Sequence, residues 1–356
     1  MRLNVITNHA LRACLLLGVT TTAMGCRSQE NLNKCGSNDP DSKIAGCTAL
    51  IQAGKGTPES ISTFYNNRAV AYDDKHDYAH AIQDYDEAIR LNPNLSFAFY
   101  GRGEAYDHTN EFDRAIQDYD QAIRLNPNFS YAYDARGRAH RNKGEFDQAI
   151  RDYDEAIRLD PNYALAFNNR GDSYRSKGDY DHAIQDFNEA IRLNPKLISA
   201  YGNRGFVYLS QSNLPAATTD YEHVIVAAPS STTAVVGALE LHLAMKRQGL
   251  DDSKLLAKVA AAADLSKWPG PILKLDLGQM TADELMATAA HAGAENQKWE
   301  ICEANFFTGE DALLNHQRAK AIARLKAARD GCPKAQGSYG QAVAELKWLG
   351  VSSLPN

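Results

Sequence analysis

The feature that most constrains the fold is a period of 34 residues in the middle of the 356-residue chain. Four consecutive segments align in frame, and a fifth follows them more loosely. The copies are Tyr65–Ala98, Phe99–Ala132, Tyr133–Ala166, Phe167–Ala200 and Tyr201–Ala234. A fixed period of this length is typical of architectures in which one small unit stacks against similar neighbours. The repeat therefore constrains the fold before any single helix or strand is assigned.

Within each copy the apolar residues recur at helical spacing. In the second copy Phe99, Gly103 and Tyr106 form one stripe, spaced i, i+4 and i+7. A second stripe consists of Phe112, Ala115, Ile116, Tyr119, Ala122 and Ile123. Pro127 ends it, because the residue before a proline disfavours helical geometry. Each copy is predicted to be an antiparallel helical hairpin, and since one hairpin cannot bury its own apolar face, the hairpins must stack.

The strong copies share an ordered pattern of aromatic, glycine, aromatic, alanine, aromatic, alanine and proline. In the second copy these are Phe99, Gly103, Tyr106, Ala115, Tyr119, Ala122 and Pro127. The pattern resembles the tetratricopeptide repeat (TPR). The resemblance implies an all-α, right-handed superhelical solenoid of antiparallel helix hairpins, whose first helices line a concave surface that binds other polypeptides. We divide the chain into a signal peptide (1–25), an N-terminal cap with a half-repeat helix (26–61), five TPR repeats (62–234) and a degenerate TPR-like helical region (235–356).

One departure from the TPR pattern is systematic. Arginine replaces the usual leucine before the glycine, at Arg68, Arg102, Arg136, Arg170 and Arg204. An arginine in an apolar position needs a carboxylate partner, and the second helix of every copy offers one at a fixed position. These are Asp84, Asp118, Asp152, Asp186 and Asp220. We expect an arginine–aspartate ladder; the alternative is a solvated charge stripe in which each pair contributes about 0 to 1 kcal/mol.

The first helices supply the candidate binding residues. They are Asn66, Asp73, Tyr100, Glu104, Asp107, Asp134, Arg138, Arg141, Asn168, Asp172 and Arg175, with Phe97 and Tyr131 as apolar anchors. Acidic residues predominate in the first two repeats and arginines in the next two, a distribution that favours an extended dipolar segment bound in one direction. The alternative is an ordinary solvated face.

The first residues are typical of an export signal. Arg2 and Arg12 precede the apolar stretch Ala13–Val19 without any acidic residue. That stretch is too short to span a bilayer. Ala23–Cys26 resembles the lipobox of bacterial lipoproteins, which implies lipidation of Cys26 and a periplasm-facing protein held in the outer membrane by this lipid alone. Cleavage by the general signal peptidase is the alternative.

Of the six cysteines, Cys14 lies in the predicted signal and Cys26 is the predicted lipidation site. The other four are an even number, which favours disulfide pairing in an oxidising compartment. Proximity in sequence pairs Cys35 with Cys47 and Cys302 with Cys332. The first bridge would hold a helix predicted at Lys43–Ala53, which follows the spacing of a second helix without a first helix before it. The alternative is that the four are small buried hydrophobic residues.

The C-terminal region keeps a helical pattern after the repeats fade. Helices are predicted at Val236–Gln248, Leu255–Asp264, Ile272–Leu277, Thr281–His291, Glu295–Asn315, Gln317–Asp330 and Tyr339–Leu349. The run from Trp268 to Leu285, followed by Glu303–Gly309, resembles the C-terminal region of NlpI-type envelope lipoproteins. This resemblance implies a non-catalytic adaptor that gathers other envelope proteins or extended peptide segments.

Composition and missing motifs argue against nucleic-acid binding and against catalysis. The 38 Lys and Arg against 44 Asp and Glu give a net charge of −6, so we expect no nucleic-acid partner. A zinc-binding His-Glu-x-x-His, a Gly-x-Ser-x-Gly nucleophile turn and a phosphate loop are all missing from the sequence. We therefore expect no catalysis, metal or cofactor; the alternative is an envelope hydrolase or another enzyme that acts on the cell wall.

Overall fold

The computed structural model describes residues 20–250, 253–332 and 337–351. All regular structure in these ranges is helical, in nineteen α-helices without a strand, which confirms the all-α prediction. None of the described helices is both long and apolar enough to cross a bilayer. Residues 1–19 of the predicted signal peptide and the side chain of the predicted lipidation site Cys26 lie outside the described residues.

The helices through the fifth repeat are α1 Thr20–Cys35, α2 Pro40–Ala53, α3 Pro58–Asp74, α4 Tyr78–Leu91, α5 Ser96–His108, α6 Phe112–Leu125, α7 Ser130–Asn142, α8 Phe146–Leu159, α9 Ala164–Ser176, α10 Tyr180–Leu193, α11 Ile198–Ser210 and α12 Leu214–Ala227. The C-terminal helices are α13 Thr232–Arg247, α14 Ser253–Ala262, α15 Gly270–Asp276, α16 Ala282–Ala290, α17 Ala294–Leu314, α18 Arg318–Gly331 and α19 Gly337–Trp348. The odd-numbered helices α3 to α11 are the first helices of the five repeats.

The chain forms two compact units, which meet in sequence between Pro161 and Asn162. In the first unit, the hairpins α1/α2, α3/α4, α5/α6 and α7/α8 pack in chain order, each against the next. In the second unit, the hairpins α9/α10 and α11/α12 pack in the same way, and α13 continues the stack. Stacked helical hairpins are the arrangement that the 34-residue period predicts.

Each of the five repeat hairpins closes around one large ring from its second helix. Tyr119 is fully buried and lies against Gly103 on the first helix, where an added Cβ would stand only 2.6 Å from the ring. The turn between the helices requires a left-handed backbone, with φ of +61° at Asn110 and +79° at the equivalent Gly144. The amide of Asn126 donates to the carbonyl of Ala122 at 2.9 Å and ends the second helix.

The N-terminal segment contains a complete hairpin. The helix at Lys43–Ala53 was expected to lack a partner helix, whereas the structure pairs it, as α2, with α1. The predicted Cys35–Cys47 disulfide is confirmed, with the two Cα atoms 4.7 Å apart and both side chains buried. The bridge therefore joins the end of α1 to the middle of α2.

The C-terminal helices form around the second disulfide. All seven predicted helices are present, and their bounds differ from the prediction by four residues at most. The Cys302–Cys332 bridge is confirmed, with a Cα–Cα distance of 5.1 Å. It joins α17 to the end of α18, and the buried side chains of Phe307 and Leu325 belong to the same core as the bridge.

Candidate binding faces

The predicted arginine–aspartate ladder is confirmed in all five repeats. In each pair Nε donates to Oδ2 at 2.7–3.0 Å and Nη2 donates to Oδ1 at 2.5–2.8 Å. The aspartate side chains are only 3–9% exposed. Two-point pairs of this kind fix the relative orientation of their helices, so the ladder is not a solvated stripe.

Each arginine of the ladder also makes contacts beyond its own aspartate. Nη1 of Arg136 donates at 2.6 Å to Asp120 in the preceding hairpin, and Arg102 reaches Asp86 in the same way. Every guanidinium lies 5.4–5.7 Å from the centre of the aromatic ring that begins its repeat. Burial raises the pKa of Asp118 in spite of Arg102. The ladder is therefore a structural feature that positions the first helices.

In each unit, the candidate residues on its first helices are called its first-helix face below; these helices are α3, α5 and α7 in the first unit and α9 and α11 in the second. In the first unit its charges are partly paired across hairpins. Arg138 on α7 donates from Nη2 to Glu104 Oε1 at 2.6 Å and from Nε to Asp107 Oδ2 at 2.9 Å. The hydroxyl of Tyr119 donates to the same Glu104 oxygen at 2.6 Å. An arginine of the predicted basic part of the face is therefore paired with two residues of the predicted acidic part.

Two further residues of this face have buried oxygens that lack a hydrogen-bond partner. They are Oδ1 of Asn66 and Oδ1 of Asp73, both on α3. Desolvation raises the pKa of Asp73 to about 6, and the negative charge of Glu104 adds to this effect. Nearby His108 acts in the opposite direction. On α3, the first-helix face therefore has two side-chain oxygens that could accept hydrogen bonds and that receive none.

The aromatic candidates differ in exposure. Phe97 and Tyr131 are 57% and 53% exposed, and they occupy the same position in consecutive repeats. Phe97 lies edge-on against Phe129, with ring centres 5.1 Å apart, and Tyr100 contacts the same ring at 5.0 Å. Phe97 and Tyr131 therefore both offer exposed apolar surface, and the ring of Phe97 packs against Phe129.

The remaining candidates of the first unit lie deeper. Asp134 is 2% exposed, and Arg141 is half-buried. Neither side chain is as accessible as Phe97 or Tyr131.

In the second unit the predicted candidates Arg175, Asp172 and Asn168 make contacts within the protein. Arg175 pairs with Asp172 on its own helix, with Nε 2.8 Å from Oδ1, and its guanidinium lies 4.8 Å from the centre of the Phe206 ring. Asn168 is buried, and its Oδ1 accepts a hydrogen bond from Nδ2 of Asn203 at 3.2 Å.

A cavity of about 360 Å³ borders this part of the face. Arg175 and Phe206 line it together with Glu240 on α13 and Trp299 on α17. The hydroxyl of Tyr221 donates to Glu240 at 2.8 Å, and desolvation raises the pKa of this glutamate. The cavity thus combines aromatic rings with a partly buried carboxylate.

Comparison with known proteins identifies the repeats. Profiles described as tetratricopeptide repeat match residues 62–95, 96–129, 118–151 and 135–198. Residues 62–198 are tetratricopeptide repeats. No curated protein matches the chain.

Solved TPR structures share the fold. PilF of Pseudomonas aeruginosa is 15% identical, with a TM-score of 0.52 over 62% of this chain and 98% of PilF. PilW, a type IV pilus biogenesis factor, is 18% identical, with a TM-score of 0.51 over 56% of this chain and 91% of PilW. At these identities the likeness extends to the fold alone.

Sequence reasoning missed the cavity beside the last TPR repeats. Its far wall comes from α17, where Trp299, Glu303 and Phe307 are spaced i, i+4 and i+8. This spacing places the three side chains on one face of the helix. The signal was present in the sequence, but it did not indicate which surface α17 would pack against.

Proposed function

We propose that the protein is a non-catalytic adaptor of the bacterial cell envelope that binds polypeptide segments of partner proteins on the first-helix face. One observation carries this proposal. Of the eight large hydrophobic residues that are most exposed in the described part of the chain, Phe97 and Tyr131 occupy the same position in consecutive repeats of the first unit, and Leu165 occupies the equivalent position in the second unit. Scattered exposed apolar residues are normal, but their recurrence at one position indicates a surface that contacts partners.

The envelope location rests on the N-terminal sequence. A basic segment, a short apolar stretch and the lipobox-like Ala23–Cys26 are the elements of a lipoprotein signal. Two buried disulfides are consistent with an oxidising compartment. The C-terminal resemblance to NlpI-type lipoproteins supports the same location, with the protein anchored in the outer membrane through the lipid on Cys26.

The proposal is tested by crosslinking in intact envelopes, followed by binding of the purified partner. The double variant Phe97→Ser/Tyr131→Ser removes two exposed rings without opening the core. Val226→Ser is the matched control, since Val226 is 67% exposed on the second helix α12. We expect the double variant to weaken binding of an identified partner at least tenfold and the control to leave it unchanged. Equal binding by all three proteins would contradict the proposal.

The alternative of an enzyme that acts on the cell wall is tested with the same preparation. Purified protein is incubated with peptidoglycan and, separately, with unfolded protein substrates. The adaptor proposal predicts no turnover of either substrate. Reproducible turnover that follows the protein through purification would overturn it.

A further inference from the structure

The internal repeat allows equivalent positions on the first-helix face to be compared within one molecule. Where the second and third repeats meet, Arg138 on α7 donates to Asp107 and Glu104 on α5. One repeat earlier, the residue equivalent to Arg138 is Glu104, and the residue equivalent to Asp107 is Asp73. The earlier position thus keeps one of the two acceptors as Asp73, has Val70 in place of the other, and has a second acid in place of the donor.

A second equivalent pair shows the same pattern. Where the fourth and fifth repeats meet, Asn203 donates to Oδ1 of Asn168 at 3.2 Å. Where the first and second repeats meet, the equivalent residues are Gly101 and Asn66. Glycine has no side-chain donor, and Oδ1 of Asn66 is buried without a partner.

Where the first and second repeats meet, the face therefore holds unsatisfied acceptors. Oδ1 of Asp73 and Oδ1 of Asn66 are both buried without a partner. Buried acceptors without donors are rare, because each costs free energy that a hydrogen bond would recover. Glu104 cannot compensate for Asp73, since it carries a charge of the same sign.

We propose that this place on the face binds a lysine or arginine side chain of the partner segment, which occupies the space that Arg138 fills one repeat later. The cationic group lies between Asp73 and Glu104, and an N–H of the same segment donates to Asn66. Asn66 and Asp73 are seven residues apart on α3, or about 10 Å along the helix. About three residues of extended chain cover this distance, so one segment reaches both acceptors. The inference rests on the proposed function and specifies one residue of the partner.

The charged surroundings of Asp73 make the site dependent on pH. The titratable groups that interact electrostatically with Asp73 come from three places. Asp74 and His76 follow it in the chain, Glu104 and His108 lie on α5, and the hydroxyl of Tyr85 lies on α4. Desolvation raises the pKa of Asp73 to about 6. A bound cation is therefore held most strongly above pH 6, where Asp73 is ionised, and less strongly as the pH falls below this value.

The test uses capped nonapeptides of Ala, Ser and Gly with one central arginine, and the same peptides with citrulline in its place. Citrulline keeps the shape of arginine and removes its charge. Binding to the full exported chain is measured by fluorescence anisotropy between pH 5 and pH 8. We expect the arginine peptide to bind at least tenfold more tightly than the citrulline peptide at pH 7.5, and this ratio to fall toward one at pH 5.

The variant Asp73→Asn keeps the shape of the side chain and removes its charge. We expect it to abolish both the preference for arginine and the dependence on pH. Asp181→Asn is the matched control, because it makes the same chemical change at an exposed position of the second helix α10 and should preserve the preference.

The outcomes separate this inference from the proposed function. If both peptides bind equally to the wild-type protein and the Phe97→Ser/Tyr131→Ser variant abolishes this binding, the cation site is wrong and the adaptor function stands. If an identified partner binds this double variant as tightly as the wild-type protein, the proposed face is wrong, and the cation site on it is overturned as well. An arginine preference that persists in Asp73→Asn would also overturn the site.

Discussion

Arg102 forms a two-point ion pair with Asp118, with Nε 2.8 Å from Oδ2 and Nη2 2.7 Å from Oδ1. The same guanidinium reaches Asp86 in the preceding hairpin and lies 5.7 Å from the centre of the Phe99 ring. One side chain therefore connects both helices of its own hairpin to the hairpin before it. This contact explains why arginine can replace the leucine that is usual at this position of the repeat.

Breaking one pair of the ladder should destabilise the protein strongly. Arg102→Leu leaves Asp118 buried without its partner, so we expect a loss of about 3 kcal/mol in the free energy of unfolding. The double variant Arg102→Leu/Asp118→Leu removes both charges and should lose much less than the sum of the single variants. Urea unfolding of the four proteins measures this coupling.

The exposed pair of Arg90 and Glu87 provides the control for the ladder. Their side chains are 65% and 43% exposed, so Arg90→Leu should leave the unfolding midpoint unchanged. An equal loss from Arg90→Leu and Arg102→Leu would show that the ladder has no special structural role.

The close approach of Gly103 and Tyr119 predicts a second effect. A methyl group at Gly103 would lie 2.6 Å from the buried ring, so Gly103→Ala should destabilise the protein by about 1–3 kcal/mol although alanine favours helix formation. A methyl group at Gly331 would have no neighbour within 4 Å, so Gly331→Ala is the control with no expected loss. Thermal unfolding followed by circular dichroism measures both changes, and equal midpoints would contradict the close packing of Tyr119 on Gly103.

The disulfide that closes the longer loop should stabilise the protein somewhat more, because the stabilisation increases with the logarithm of loop length. The sequence separations of 12 and 30 residues correspond to about 3 and nearly 4 kcal/mol on the chain-entropy estimate. We expect reduction to lower the melting temperature, and Cys302→Ser/Cys332→Ser to lower it more than Cys35→Ser/Cys47→Ser. Thiol titration of exported, denatured protein checks the pairing, which four free thiols in residues 26–356 would refute.

Asp73 should destabilise the fold at neutral pH. Its pKa is about 6 in the folded protein against an ordinary value of 3.8, so the folded form retains a proton that the unfolded chain loses as the pH rises from about 4 to 6. The free energy of unfolding therefore decreases over this range. Because Asp73 is partly exposed, we expect Asp73→Asn to gain only on the order of 1 kcal/mol at pH 7.5.

The same variant should show little gain at pH 3, where Asp73 is mostly protonated in folded and unfolded chains alike. Urea unfolding at the two pH values measures the difference. A gain that is equal at both pH values would show that the charge of Asp73 is not its cause.

The features that repeat were predictable from the sequence, and the features that occur once were not. The five ladder pairs follow from Arg and Asp at fixed positions, because equivalent positions have equivalent neighbours. The pairing of Arg138 with Glu104 and Asp107 depends on which residues face each other across two different repeats. The sequence pattern within a single hairpin does not indicate which residues of two different hairpins will face each other.

The N-terminal and C-terminal helices were also predictable only in part. Helix α1 was not predicted as the partner of α2, because its sequence lacks the repeat pattern and overlaps the export signal. The C-terminal helices were predicted individually, since helical periodicity is local. The cavity that Trp299 lines depends on how α17 packs against distant helices, which local patterns do not specify.

The most direct test of the account is site-specific photo-crosslinking in living cells. A benzophenone amino acid is placed at Phe97 or Tyr131 on the first helices, and at Gln83 or Gln117, which are exposed on second helices. The account predicts that Phe97 and Tyr131 crosslink to the same partner polypeptide, and that Gln83 and Gln117 do not. Crosslinking of that partner from the second-helix positions, with none from Phe97 or Tyr131, would contradict the claim that partners bind the first-helix face.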